Sequence, residues 1–468
     1  MRLATVGVPT RDRVEALRRC LDSFAAPARR QPPTEFVVVD GSDRPEAGQA
    51  TLRMLEQFRD RHGAAVWYAG RADVSGYAEA LARHAGLPAD VVRFGLLGGP
   101  GYPVTTGASR NVLLLHAAGD VLLQVDDDTV CRLRPAPGRQ DGLVRAPRFD
   151  PTEFWPLPDD EPPGPPDQYD LLAVHEQLLG RDVDGGRVAA TAAGVWGDPG
   201  MSSSLYLLAL DGASRERLLR TEAGYRRAVR DRRLMRAVDH PTAGGGLCVA
   251  LNLGLDHRTL LPPFLPVQRN QDGVFGALLR GCFENRLFGY LPWMLLHDPA
   301  AGRPDSTRGD WSRQVGVGSG QIVQAVVKAL APTTTGTDAG ARLRQLGQEL
   351  VRLAAAPEAR FADAVRVLIA GHLGRFAAGL EERLRSHGGR PDYWAADVRQ
   401  VLGLLSPEAV ARLAVSPTDL AEAFGPEAAL PRLRDLLTEF GRLLAVWPEM
   451  VAAARHLRAQ DVRPARPV

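Results

Sequence analysis

The chain has 468 residues, 45% of them hydrophobic and 24% charged, with a formal net charge of +2. That length calls for two or three domains rather than one simple core. The composition is ordinary for a soluble globular protein, and the near-balanced charge gives no reason to expect nucleic acid as a partner. The four cysteines, Cys20, Cys131, Cys248 and Cys282, are scattered without zinc-finger spacing or the density of a disulfide scaffold, so each is expected as a small buried hydrophobe. No apolar run approaches the roughly 20 residues of a membrane span. The opening MRLATVGVPT lacks the apolar segment of a signal peptide. The expected compartment is the cytoplasm.

In chain order, LATVGV is a β-type run that Pro9 should stop, and VEALRRCLDSF has helical spacing. EFVVVD is a continuous β-branched run, as expected of a strand buried on both faces. TLRMLEQFRDRHG is an amphipathic helix closed by Gly63, and AVWYAG is a third strand. Residues 71–105 are less regular: AEALARHAG reads as a helix and FGLLGGPGYPVTTG as a loop. ASRNVLLLHAAG is a helix, and DVLLQV is a strand that runs into three aspartates. WPLPDDEPPGPPDQ, residues 155–168, is too rich in proline for regular structure and reads as a surface excursion. Alternating strands and helices imply an α/β domain with a mostly parallel sheet over residues 1–315. Beyond it, strand-like runs vanish. Five helical-period stretches fill residues 316–468, expected as an all-α C-terminal domain or appendage.

Asp126, Asp127 and Asp128 raise an electrostatic question, because three adjacent carboxylates repel one another. In parallel α/β sheets ligands bind beyond the carboxyl ends of strands. A divalent cation there would turn repulsion into shared attraction, and hard oxygen donors favour Mg²⁺ or Mn²⁺. A solvated acidic loop or a helix N-cap is the plainer alternative, although one aspartate suffices for a cap.

The ordered set GVPTRDR, VVVDGSD, GASRN, VDDDT and RNQDGVFGALL followed by LLHDP resembles a GT-A glycosyltransferase of the family-2 type. The resemblance covers about residues 1–300. It implies a Rossmann-like nucleotide-sugar-binding domain and transfer of a sugar from a nucleotide diphosphate, with UDP the preferred nucleotide. It also implies a role for each matching residue. Asp40 would contact the nucleobase, with Pro9, Thr10 and Arg11 lining the same pocket; a turn role for Asp40 and a helix cap for Thr10 compete. Arg110 would sit near the donor phosphates at a helix start, against a structural salt bridge to an aspartate. Asp126 and Asp127 would contact the donor, Asp128 would ligate the metal, and His297 would complete the metal site, although a lone histidine is more often structural. Asp272 takes the second place of the family's acidic pair and would be the general base. Gln271 in the first place departs from the usual Glu-Asp, and a helix-dipole role for Asp272 is the alternative.

Under that resemblance, Arg110 and a metal stabilise the departing diphosphate while Asp272 deprotonates the acceptor, a single displacement that inverts configuration. The acceptor, whether small molecule, glycan or peptide, is undetermined. Trp196, read as lying in a loop, is the candidate for stacking on it, whereas Trp293 is expected in the core. HPTAGGG, residues 240–246, reads as a flap or a connecting loop. The C-terminal helices could recruit an acceptor or form a homodimer interface, the simpler use. A nucleotidyltransferase and a non-catalytic nucleotide-binding scaffold are the competing functions; the first usually has a Gly-rich, Lys-containing loop that GVPTRDR lacks.

Overall fold

The computed structural model describes residues 2–28, 34–157, 170–201, 203–231, 233–299, 310–413 and 416–468. The first part runs β1 (Thr5–Thr10), α1 (Val14–Ala28), β2 (Glu35–Asp40), α2 (Pro45–His62), β3 (Val66–Ala69), α3 (Arg71–Ala85), α4 (Ala89–Leu97), α5 (Thr106–His116), β4 (Val121–Val125) and β5 (Thr129–Pro135). It alternates as read up to α3, and α4 and β5 are additions to the expected elements. The strands β3, β2, β1 and β4 lie side by side and parallel. Beyond β4 the sheet continues through Asn252–Asp256, Gly186–Gly197 and Arg286–His297. That half is mixed: Asn252–Asp256 runs antiparallel to both its neighbours, while Gly186–Gly197 and Arg286–His297 run parallel to each other.

The β-branched run of β2 is buried on both faces because helices cover both. Phe36 and Val38 point into a core with Leu17, Leu21, Phe24 and Phe58 of α1 and α2. Val37 and Val39 point into a second core with α3, α4 and α5. This period-2 alternation is what a two-sided strand requires. The second core also contains Leu343, Leu346, Leu436, Phe440 and Trp447 from the C-terminal helices, so those helices share a core with the sheet. The 34-residue helix Pro426–Ala459 packs on α3, α4 and α5.

Several expectations are corrected. Pro9 does not stop β1, which runs on to Thr10. Pairing with β4 ends at Gly7 opposite Gln124, so Pro9 lies where β1 has no neighbour on that side and the missing N–H breaks no ladder there. Phe94–Leu97 belong to α4, not to a loop. Trp155 and Pro156 end a short strand, Glu153–Pro156, paired with Leu234–Ala237; the rest of the proline-rich excursion, from 158 to 168, lies outside the described residues. Strands do not vanish after residue 315, because Arg466–Pro467 adds an antiparallel strand to β3. Thr242–Ala243 of the HPTAGGG stretch pairs with Gly289 and Tyr290, and the N–H of Gly246 donates to the Phe149 carbonyl. That stretch is tied to the sheet rather than hanging free.

Candidate functional site

Parallel pairing brings the carboxyl ends of β1, β2 and β4 to one edge of the sheet, carrying Thr10, Asp40 and the aspartate triplet. Arg286–His297 places His297 opposite Thr129, the residue after the triplet. The tight connection from β4 to β5 holds Asp126–Asp128, and the N–H of Asp126 donates to the Leu251 carbonyl.

Side chains of the protein neutralise the triplet one by one. Arg110 Nη2 donates to Asp126 Oδ1 at 2.5 Å, and to the Ala250 carbonyl at 2.8 Å. Gln124, polar yet fully buried inside β4, accepts from Arg110 Nη1 at 3.2 Å and donates to the Arg110 carbonyl. This explains the polar residue in an otherwise apolar strand. Asp127 accepts from Thr10 Oγ1 and from Arg13 Nη1, both at 2.7 Å. Asp128 accepts from Arg13 Nη2 at 2.9 Å and lies 2.9 Å from His297 Nε2. The two arginines and the imidazole thus answer much of the repulsion that a metal was expected to answer alone.

The titration behaviour follows this pairing. Burial pushes Asp127 up to about 7, against the pull of Arg13 and the Thr10 hydroxyl. Burial would raise Asp128 too, but the His297 and Arg13 contacts outweigh it and hold the carboxyl well below the usual range. For His297, burial opposes the charge while Asp128 favours it more strongly, so its pKa is raised. His297 and Asp128 thus form a buried hydrogen-bonded pair in which each favours the charged form of the other.

Asp272 opens the helix Gln271–Cys282 as expected. Its Oδ1 accepts from the Gly273 N–H at 2.9 Å and its Oδ2 from the Ala250 N–H at 3.3 Å. The backbone of Ala250 therefore connects Asp272 with Arg110, its N–H donating to the first and its carbonyl accepting from the second. Burial raises the pKa of Asp272 and Arg110 opposes the rise. Asn270 precedes it in the left-handed region, φ 68°, a conformation uncommon outside glycine and best tolerated by Asn or Asp.

The remaining sequence candidates divide. Thr10 is no helix cap, since its hydroxyl goes to Asp127. Pro9 is buried in β1, and Arg11 bonds Asp43 and the Pro103 carbonyl. Asp40 is buried, accepting from the Ser42 N–H at 2.9 Å and the Tyr68 hydroxyl at 3.3 Å; in this structure it performs the turn role weighed against base contact. Arg110, expected to face phosphate, is 1% exposed with its ion pair directed at Asp126, which is the salt-bridge alternative. Trp196 is not in a loop. It lies in Gly186–Gly197, is 5% exposed, donates its indole N–H to the Arg132 carbonyl and is covered by the Arg134 guanidinium, so no face is open for stacking on a sugar. Trp293 is buried as expected.

Sequence reasoning missed Arg13. Its signal was the second arginine of GVPTRDR, standing just before α1 at the end of β1.

One carboxylate oxygen each from Asp126 and Asp128 and one ring nitrogen of His297 lie within 4.8 Å of one another. The set fits a hard divalent ion with mixed carboxylate and imidazole donors. His297 Nδ1 lies 2.7 Å from the Asp198 carbonyl, the kind of outer contact that orients a ligating imidazole and leaves Nε2 for an ion. An open groove of about 930 Å³ lined by Arg215, Arg226, Arg390 and Tyr393 contains none of these residues. Its arginines include Arg226, paired with Asp397 and Glu222, and Arg390, paired with Asp392.

No protein-family model and no curated protein matches the chain. Among solved structures, it is similar to residues 1–349 of S. aureus TarS in complex with UDP-GlcNAc, at 14% identity and a TM-score of 0.37, covering 86% of this chain and 91% of that one. A second S. aureus TarS structure aligns at 13% identity and a TM-score of 0.31, covering 86% of this chain and 55% of that one.

Proposed function

We propose that the chain is a nucleotide-sugar glycosyltransferase, transferring a sugar from a nucleotide diphosphate, UDP for preference, to an acceptor hydroxyl. The observation that carries the reading is the gathering of Asp126, Asp128 and His297 donors within 4.8 Å at the carboxyl end of β4, with Asp272 joined to the same cluster through Ala250 and Arg110. The carboxyl ends of the strands are where an open α/β sheet binds its ligands, and carboxylate and imidazole donors suit a hard divalent ion there. The ordered motifs of the sequence add the sugar-nucleotide assignment.

In this proposal Asp126, Asp128 and His297 would hold Mn²⁺ or Mg²⁺, and the ion, when bound, would supply positive charge for the leaving diphosphate. Arg110 is a positioning residue that fixes Asp126 and lowers the proton affinity of Asp272. Asp272 takes the proton of the acceptor hydroxyl. The acceptor oxygen forms its bond to the anomeric carbon as the carbon–oxygen bond to the diphosphate breaks, from the opposite face and with inversion. Burial suits Asp272 to the task, since a carboxylate with a raised pKa is the better base near neutral pH.

Thermal unfolding with UDP, UTP and no nucleotide, each with and without Mn²⁺, tests the reading. A midpoint rise with UDP that requires Mn²⁺ supports it. A response confined to UTP favours nucleotidyl transfer, and no response to any nucleotide favours a scaffold.

A further inference from the structure

Arg110 and Arg13 both neutralise the triplet, but they are held differently. Arg110 is 1% exposed and bonds Asp126, Gln124 and the Ala250 carbonyl. The Arg13 side chain is 40% exposed, and among the described residues its guanidinium bonds only Asp127 and Asp128. It bridges two carboxylates with one nitrogen each instead of forking onto one. It also follows Asp12, a non-glycine residue in the left-handed region at φ 55°, held there by an N–H bond to Ser42 Oγ and an ion pair with Arg44. Backbone of this kind persists where its surroundings fix it, often beside functional groups.

Asp128 has both oxygens occupied, Oδ1 by His297 and Oδ2 by Arg13. An ion at the Asp126–Asp128–His297 donors must therefore disturb these bonds. Arg110 is locked by burial and cannot yield its place. Arg13 can, because its side chain is 40% exposed and its guanidinium would find water when it swings out.

We infer that Arg13 is an internal placeholder cation: it competes with the divalent ion for Asp128, and when ion and donor bind, its guanidinium moves from the aspartates to the donor diphosphate. The inference rests on the metal-assisted reading given above. The exchange replaces one positive charge with two among crowded carboxylates. It frees a planar fork, whose geometry matches phosphate oxygens, at the mouth of the site.

The test uses the full chain and Mn²⁺ alone, with free Mn²⁺ read by electron paramagnetic resonance and no nucleotide present. Wild type, Arg13→Gln, Arg13→Lys and Asp128→Asn are compared. Arg13→Gln is expected to bind Mn²⁺ on the order of tenfold tighter than wild type, and Arg13→Lys to fall between them, since an ammonium bridges two carboxylates less well. At saturating Mn²⁺, UDP should bind Arg13→Gln on the order of tenfold more weakly. Unchanged or weaker Mn²⁺ binding by Arg13→Gln, with binding lost in Asp128→Asn, overturns the placeholder role and leaves the metal site standing. UDP affinity unaffected by Arg13→Gln overturns the transfer to diphosphate. Absence of Mn²⁺ binding by every protein overturns the inference together with the metal reading. If Arg13→Gln does not fold, Arg13→Lys decides alone: Mn²⁺ affinity equal to wild type overturns the inference.

Discussion

At the scale of single residues, the site is a ledger of charges in a small space. Asp126, Asp127, Asp128 and Asp272 face Arg13, Arg110 and His297. A buried charge pair left with one partner is strongly destabilising, so replacing Arg110 would damage the fold as well as the chemistry and cannot report on catalysis alone. Asp272 is the cleaner probe. Its bonds come from two backbone N–H groups, which Asn can keep in part through its carbonyl oxygen. Asp272→Asn is expected to lower kcat by about 10²–10⁴-fold with donor affinity nearly unchanged, as read by steady-state kinetics beside a direct donor titration. Full activity in that variant would remove Asp272 as the base. The triplet, Asp272 and His297 were legible in the sequence because each ends a strand or begins a helix at a recognisable motif. Arg13 was not, because GVPTRDR marks its place before the first helix but does not show that the side chain crosses to the aspartates at the end of another strand. Trp196 misled for a related reason: its flanking glycines look like loop, whereas Gly194 and Gly197 are small because backbone carbonyls of Arg236 and His297 approach within 2.2 and 2.4 Å of where a Cβ would stand.

At the scale of elements, α5 and the segment leading to Asp272 are pressed together. A Cβ on Gly107 would stand 1.8 Å from the Leu265 carbonyl oxygen, and the Ala108 N–H donates to the Pro266 carbonyl. Asn111 ties the same segment down, donating to the carbonyls of Gly95 and Phe264 and accepting from the Phe264 N–H. Gly107→Ala forces backbone against backbone and is expected to cost about 2–4 kcal/mol. Gly76→Ala, in the middle of α3 where nothing lies within 4 Å of the new methyl, is expected to gain up to about 1 kcal/mol from helix propensity. Urea midpoints of the two variants should move in opposite directions; movement in the same direction would contradict the packing described. Most strands and helices of residues 1–125 were readable because their periods are clean; α4 was not, because Gly95, Gly98 and Gly99 gave its end the look of a loop. The mixed half of the sheet was not, since several of its pairings join segments about a hundred residues apart or more, such as Arg286–His297 with Gly186–Gly197 and with Thr129–Pro135, and register of that kind has no short-range signature.

At the scale of the whole molecule, the C-terminal helices had the texture of a separate domain, yet their apolar residues join the core beneath the sheet. Helical period shows which face of a helix is apolar; it does not show what that face meets. Trp447 is fully buried and donates its indole N–H to the Leu261 carbonyl at 2.8 Å, and Arg458 pairs with Asp120 beside β4. Trp447→Ala is expected to cost about 3–5 kcal/mol and, in calorimetry, to lower one transition shared by the sheet and the helices; two transitions, only one of them shifted, would contradict a common core. The function proposed for this architecture is tested most directly by incubating the full chain with individual nucleotide sugars and following release of nucleotide diphosphate with Mn²⁺ and with a chelator, for wild type and Asp128→Asn. The account predicts that at least one UDP-sugar is turned over by the wild type with Mn²⁺, that the chelator abolishes turnover and that Asp128→Asn is inactive. Turnover that survives both the chelator and Asp128→Asn, or no turnover of any nucleotide sugar by the wild type, would contradict it.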